Sequence, residues 1–172
     1  MSIFSEKIKK SILKDRSKEN IGNWAKKLKE KPDDIDDVIS LIDQSKDLSF
    51  RIIWMLGHLS IISPGILNHH IIELYKKRKS VSYRGYDREF VKILCYNQIP
   101  EALEGEIIDQ LFHWLCDGNK DVAVKVYSME LLYKVSQKYP ELKNELKEVL
   151  LDQMDKNTIA FKTRAGKIIQ KT

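Results

Sequence analysis

The chain has 172 residues, 42 % of them apolar and 32 % charged, with a net charge of +5. That length can bury one well-formed core, while no run approaches the roughly 20 apolar residues that cross a bilayer, so no membrane span is expected. The N-terminus has neither an apolar core nor a small-residue cleavage site, so no signal peptide is read and a cytoplasmic location follows.

In chain order, the spacing of apolar residues is helical throughout, and no alternating strand pattern appears. Ile3, Phe4, Ile8, Ile12 and Leu13 predict a helix over about 3–15, and Ile21, Trp24, Ala25 and Leu28 a second over about 20–30. Pro32 opens the next element, since its missing N–H is tolerated in a first helical turn. Asp33, Asp34, Asp36 and Asp37 then favour the positive end of the helix dipole, and Ile35, Val38, Ile39 and Ile42 carry that third helix to about 44.

A fourth helix is expected over about 47–62, followed by the turn Ser63-Pro64-Gly65 and a fifth helix to about 78. Residues 79–85 form the longest irregular piece. A sixth helix covers about 87–98 and stops before Pro100, because a residue preceding proline avoids helical angles. The remaining helices fall at about 100–116, 121–138, 141–154 and 157–171, separated by Asp117-Gly118-Asn119 and Tyr139-Pro140. Ten helices in alternation give five antiparallel pairs in one domain, residues 1–172, with 1–30 as a divergent capping pair. Its lysines (Lys7, Lys9, Lys10, Lys14, Lys26, Lys27, Lys29) supply the polar outer face that a terminal repeat requires.

Charge is unevenly spread. Residues 1–30 carry nine basic and four acidic side chains, residues 31–74 three and seven, and residues 155–172 five and one. Two basic ends therefore flank an acidic section, a pattern that steers acidic partners or keeps a soluble surface apart from itself. Cys95 and Cys116 both lie in helical patterns and read as reduced core thiols.

Four stretches share one pattern: Phe50-Arg51 with Trp54, Val91-Lys92 with Cys95, Val124-Lys125 with Ser128, and Phe161-Lys162 with Ala165. The basic residues are 41, 33 and 37 apart, a period that marks stacked helical repeats. Asp47 precedes Arg51 by four residues and Asp121 precedes Lys125 by four, so each acid and cation share a helix face. In a stack, the cation also comes within reach of the adjoining repeat.

This arrangement resembles the HEAT-repeat family, and in particular small stand-alone bacterial HEAT proteins. Asp121, Val124, Lys125, Ser128, Leu132 and Val135 are the best copy, whereas Trp54 stands where the family prefers a small side chain. The resemblance implies an all-α, right-handed α-α superhelix of the armadillo-like kind. The helices at 47–62, 87–98, 121–138 and 157–171 would line its concave wall. HEAT proteins generally hold other proteins there, and some hold nucleic acid.

Two groups of residues are candidates for binding. Arg51, Trp54 and His58 share one helix face. Arg84, Arg88, Lys92 and Lys125, beside Tyr75, Tyr83 and Tyr86, are the cations of a basic surface, and cations with stacking rings suit phosphates and bases. Their neighbours Lys76, Lys77, Arg78 and Lys79 also suit a helix C-terminus, where the dipole favours cations. A tryptophan beside an arginine in a concave wall resembles HEAT-like DNA alkylation-repair glycosylases, with Asp47 as the nearest candidate carboxylate.

No metal site is expected. Adjacent His69 and His70 point apart, and His113 with Cys116 lacks the second pair that structural zinc needs. No nucleophile elbow, phosphate loop or metalloprotease motif is present, so no catalytic residue and no cofactor are assigned. The leading expectation is a non-catalytic module for a protein or peptide partner. The alternative is nucleic-acid binding through a basic concave surface, with a glycosylase-like variant.

Overall fold

A computed structural model describes residues 2–81 and 84–172, and only the backbone of Arg84. Among these residues the secondary structure is entirely helical, as the periodicity predicts. Contacts divide the chain into two compact units, Met1–Pro100 and Glu101–Thr172.

The first unit contains α1 (Ile3–Lys14), α2 (Lys18–Lys29), α3 (Ile35–Ile39), α4 (Lys46–Ile62), α5 (Ile71–Ser80) and α6 (Arg84–Tyr96). Serine hydroxyls cap the starts of three of them. Ser2, Ser17 and Ser45 accept from the backbone N–H groups of Ser5, Asn20 and Leu48 at 3.1–3.2 Å, satisfying donors that a helix start leaves unpaired. Trp24 Nε1 donates to Ser11 Oγ at 2.8 Å and its ring meets Phe4 edge-on, which ties α1 to α2. The lysines named above are exposed, except that Lys9 is partly buried.

α4 lies between α2 and α6. Leu48, Ile52, Ile53, Met55, Leu56 and Leu59 are all buried, so α4 is apolar around much of its circumference, as a helix packed on several sides must be. α6 contributes Phe90, Val91, Ile93 and Leu94 to the same core. Tyr86 is buried and donates to the carbonyl of Leu74 at 3.0 Å, joining α5 to α6.

Two element boundaries differ from the sequence reading, each for a local reason. The third helix stops at Ile39 rather than about 44, and turns lead to Asp43, whose φ of +87° is left-handed. Asp43 is held there by its N–H to Ser49 Oγ at 3.0 Å and by its carboxylate, which accepts from Lys77 Nζ at 2.8 Å and Ser80 Oγ at 3.2 Å. α5 begins at Ile71, because the preceding loop is bonded to the end of α6. Gly65 (φ +85°) donates to the carbonyl of Tyr96, and Leu67 donates to the buried side chain of Asn97, both at 2.9 Å. The irregular 79–85 stretch shortens, with α5 reaching Ser80 and α6 starting at Arg84; Ser82 and Tyr83 lie outside the described residues.

The second unit contains α7 (Glu101–Cys116), α8 (Val122–Ser136), α9 (Leu142–Met154) and α10 (Ile159–Ile169). α8 packs on α7, α9 and α10, with Val124, Met129, Leu132, Phe161 and Ala165 buried. Glu104 on α7 accepts from Lys138 at 2.9 Å and from the Tyr139 hydroxyl at 2.7 Å. These two partners hold the Glu104 carboxyl below its usual range, Lys138 first.

The repeat period is visible in the polar contacts themselves. Arg51 reaches Arg16 across 35 residues, Lys77 reaches Asp43 across 34, and Asn97 reaches Ser60 across 37. In the second unit Lys138 reaches Glu104 across 34 and Lys125 reaches Asn157 across 32. Polar contacts therefore recur at about the repeat spacing within each unit, as stacked helical pairs require.

Candidate functional site

The first group of expected site residues comes together on α4. Phe50, Trp54 and His58 follow one another at four-residue steps, all partly exposed. The Phe50 and Trp54 rings lie 5.9 Å apart at 15°, and the Trp54 and His58 rings 5.8 Å apart at 51°. Exposed Ile61 and Ile62 extend this stripe to the end of the helix.

Arg51 lies beside the stripe, with its guanidinium over the Phe50 ring at 5.7 Å. It donates to the carbonyl of Arg16 at 3.2 Å and pairs with Asp47 at 3.4 Å, while Arg16 pairs with the other Asp47 oxygen at 3.2 Å. Asp47 is thus clamped by two arginines. The cap of α4 is Ser45, so Asp47 occupies the first turn rather than the cap position.

α6 brings Arg88, Glu89 and Lys92 to the same neighbourhood. Glu89 and Lys92 form an ion pair in which the side chains are 3 % and 10 % exposed. Arg88 donates to the other Glu89 oxygen at 3.0 Å yet keeps 41 % of its side chain exposed. The space for this cluster comes from Gly57 of α4: a Cβ there would stand 2.6 Å from Glu89 Oε2 and 2.8 Å from Lys92 Cε. The close approach of α4 to α6 therefore depends on Gly57, one turn after the position where Trp54 departs from the repeat pattern.

His58 Nε2 is buried without a hydrogen-bond partner. Burial, followed by the nearby Lys92 charge, pushes the His58 imidazole below its usual range. The ring is therefore neutral at neutral pH and presents an uncharged edge beside Trp54.

Lys125 lies in the other unit, on α8. It is 2 % exposed, donates to Asn157 Oδ1 at 2.9 Å, and is pushed below the usual lysine range by burial. It bridges to the turn before α10, the cross-repeat contact expected of its place in the pattern, with an asparagine as the acceptor. The side chain of Arg84 lies outside the described residues. Of the expected basic set, Arg88 is the described cation that combines a position on α6 with substantial exposure.

The model of the HEAT repeat domain matches residues 8–172. The chain belongs to the HEAT-repeat family. Among curated proteins and among solved structures there is no match. In HEAT terms, α4, α6, α8 and α10 are the second helices of their pairs; Val91, Val124 and Phe161, which precede Lys92, Lys125 and Lys162, are buried, whereas Phe50 before Arg51 is partly exposed.

Two side chains depart from the sequence reading. Cys116 is exposed rather than in the core, while Cys95 is partly buried, and neither forms a disulfide. His70 lies beside Asp36, with Nδ1 at 3.0 Å from Oδ1. The ligand atoms of Asp36, His70 and Glu73 fall within 4.8 Å of one another. Asp36 and His70 are 34 residues apart in the sequence, so the HEAT period itself was the signal that could have joined them. No described helix is long and apolar enough to cross a membrane.

Proposed function

We propose that this HEAT protein is a non-catalytic interaction module that holds a segment of a partner protein along α4 and α6. The partner segment carries apolar side chains for the Phe50–Trp54–His58 stripe and carboxylates for Arg88. The observation that supports this reading is the contrast between the partly exposed stripe and the internal commitments of the cations around it. Lys92 is spent on Glu89, Arg51 on Asp47 and the Arg16 carbonyl, and Lys125 on Asn157. A phosphate backbone needs cations that face solvent, so the same contacts weigh against the nucleic-acid reading. The glycosylase-like variant is disfavoured because Asp47, its candidate carboxylate, is already neutralised by two arginines.

The proposal takes residues 1–172 as one HEAT domain with 1–30 as its capping pair, supported by a family match that runs through both compact units. It places the protein in the cytoplasm, in accord with two cysteines that form no disulfide.

Affinity capture from a cell lysate, with and without nuclease, tests the reading. The captured protein is expected to survive nuclease treatment and to be lost when the bait carries Trp54→Ala or Arg88→Glu. Loss on nuclease treatment, or capture by nucleic acid with a steep salt dependence, refutes it.

A further inference from the structure

We propose that Asp36, His70 and Glu73 form a binding site for a divalent ion of the zinc class. The site is independent of the partner face on α4 and α6. Asp36 lies in the first turn of α3, His70 immediately precedes α5, and Glu73 lies in the first turn of α5. Three donor atoms from two elements one repeat apart thus converge within 4.8 Å.

The donor set and its packing favour an ion. Metal–ligand distances of about 2.0–2.2 Å put neighbouring ligands roughly 3–4 Å apart. Small rotations of the two exposed carboxylates reach that spacing. The His70 side chain is only 17 % exposed, which fixes the ring, and the Asp36 side chain is 78 % exposed, which leaves an entry path. One imidazole nitrogen with two carboxylate oxygens suits zinc and its neighbours in the first transition row, whereas calcium and magnesium favour all-oxygen sets. Three protein ligands leave a coordination position for water.

The ion would tether the first helices of two successive HEAT pairs. α3 has five residues, too few to be stable without tertiary support, so a tether at Asp36 acts where the first unit has least helix of its own.

Isothermal titration of the full chain with zinc chloride at neutral pH, repeated with magnesium and calcium chloride, tests the site. One equivalent of zinc is expected to bind, with no comparable response to the other two. His70→Ala and Asp36→Asn are each expected to weaken zinc binding by more than about tenfold, while His113→Ala/Cys116→Ser leaves it unchanged. Because an ion bound only by the folded form stabilises it, zinc should raise the thermal midpoint of the wild type and not that of Asp36→Asn. Asp36 is exposed, so that variant keeps the test valid if His70→Ala fails to fold. Absence of both zinc heat and thermal shift overturns the proposal. So does wild-type zinc affinity in Asp36→Asn or His70→Ala, or loss of binding in the His113/Cys116 variant.

Discussion

The Glu89 carboxylate and the Lys92 ammonium, neighbours on one face of α6, close a buried ion pair against Gly57 of α4. Withdrawing two charges from water is costly, and their mutual attraction offsets that cost only while both remain. Glu89→Gln leaves Lys92 charged and buried, so it is expected to lower unfolding stability by about 3–5 kcal/mol. The paired change Glu89→Leu/Lys92→Met is expected to be neutral or stabilising. Denaturant unfolding of the singles and the double measures both, and an unchanged midpoint for Glu89→Gln contradicts the pairing.

Gly57→Ala probes the same contact from the other helix. In an open helix position this change gains up to about 1 kcal/mol in propensity. Here the new methyl meets Glu89 Oε2 and Lys92 Cε at distances real Cβ atoms do not adopt, and the side chains it must push are locked in a buried pair. Overpacking of this kind costs about 1–3 kcal/mol, so the variant should be less stable than wild type. A midpoint above wild type would mean that α4 and α6 are not this close.

His58 supplies a pH dependence. Its folded form is depressed by burial and by Lys92, so the unfolded chain binds the proton more readily. The resulting stability is fully present above the unfolded imidazole value of about 6.5. It is lost as pH falls from there through the lower folded value. Unfolding experiments on wild type and His58→Gln between pH 7.5 and about 5 should show a decline in the wild type that the variant lacks. Parallel profiles would contradict it, as would an NMR titration of His58 above the ordinary histidine range.

Lys125 has Asn157 as its acceptor, a neutral group facing a buried cation. The Asn157 amide also donates to the Gln153 carbonyl at 2.8 Å, so one side chain serves both contacts. Asn157→Ala leaves the buried Lys125 ammonium without that acceptor, and the variant is expected to lose about 1.5–3 kcal/mol of stability, measured by thermal or chemical unfolding. An unchanged midpoint would show that Lys125 does not point to that turn.

Much of the fold was legible because repeat packing writes itself into spacing. The periodicity of Ile8, Ile12, Ile21, Ala25 and Leu28 marks buried faces, and the cations at 51, 92, 125 and 162 mark the helices of the repeat pattern. What the spacing missed were local decisions made by tertiary bonds. The buried side chain of Asn97 holds the loop before α5 in place, and Lys77 and Ser80 hold Asp43 in a conformation few residues adopt. Neither interaction leaves a local pattern.

The site was legible in part. The face shared by Arg51, Trp54 and His58 follows from helical spacing alone. The fate of the cations does not, because sequence gives the direction of a helix face but not which acid waits there. Glu89, three residues before Lys92, is the internal partner that removes Lys92 from the surface. Gly57 carried no signal, since its role exists only where α6 crosses it.

The claim that α4 and α6 hold a protein partner is tested most directly by site-specific photocrosslinking in cells. A photoreactive residue replaces Trp54 in one sample and Ile72, exposed on α5, in another, and nuclease treatment precedes analysis. The account expects position 54 to yield a discrete protein adduct that position 72 does not. A nucleic-acid adduct at 54, or equal protein yields from both positions, would contradict it.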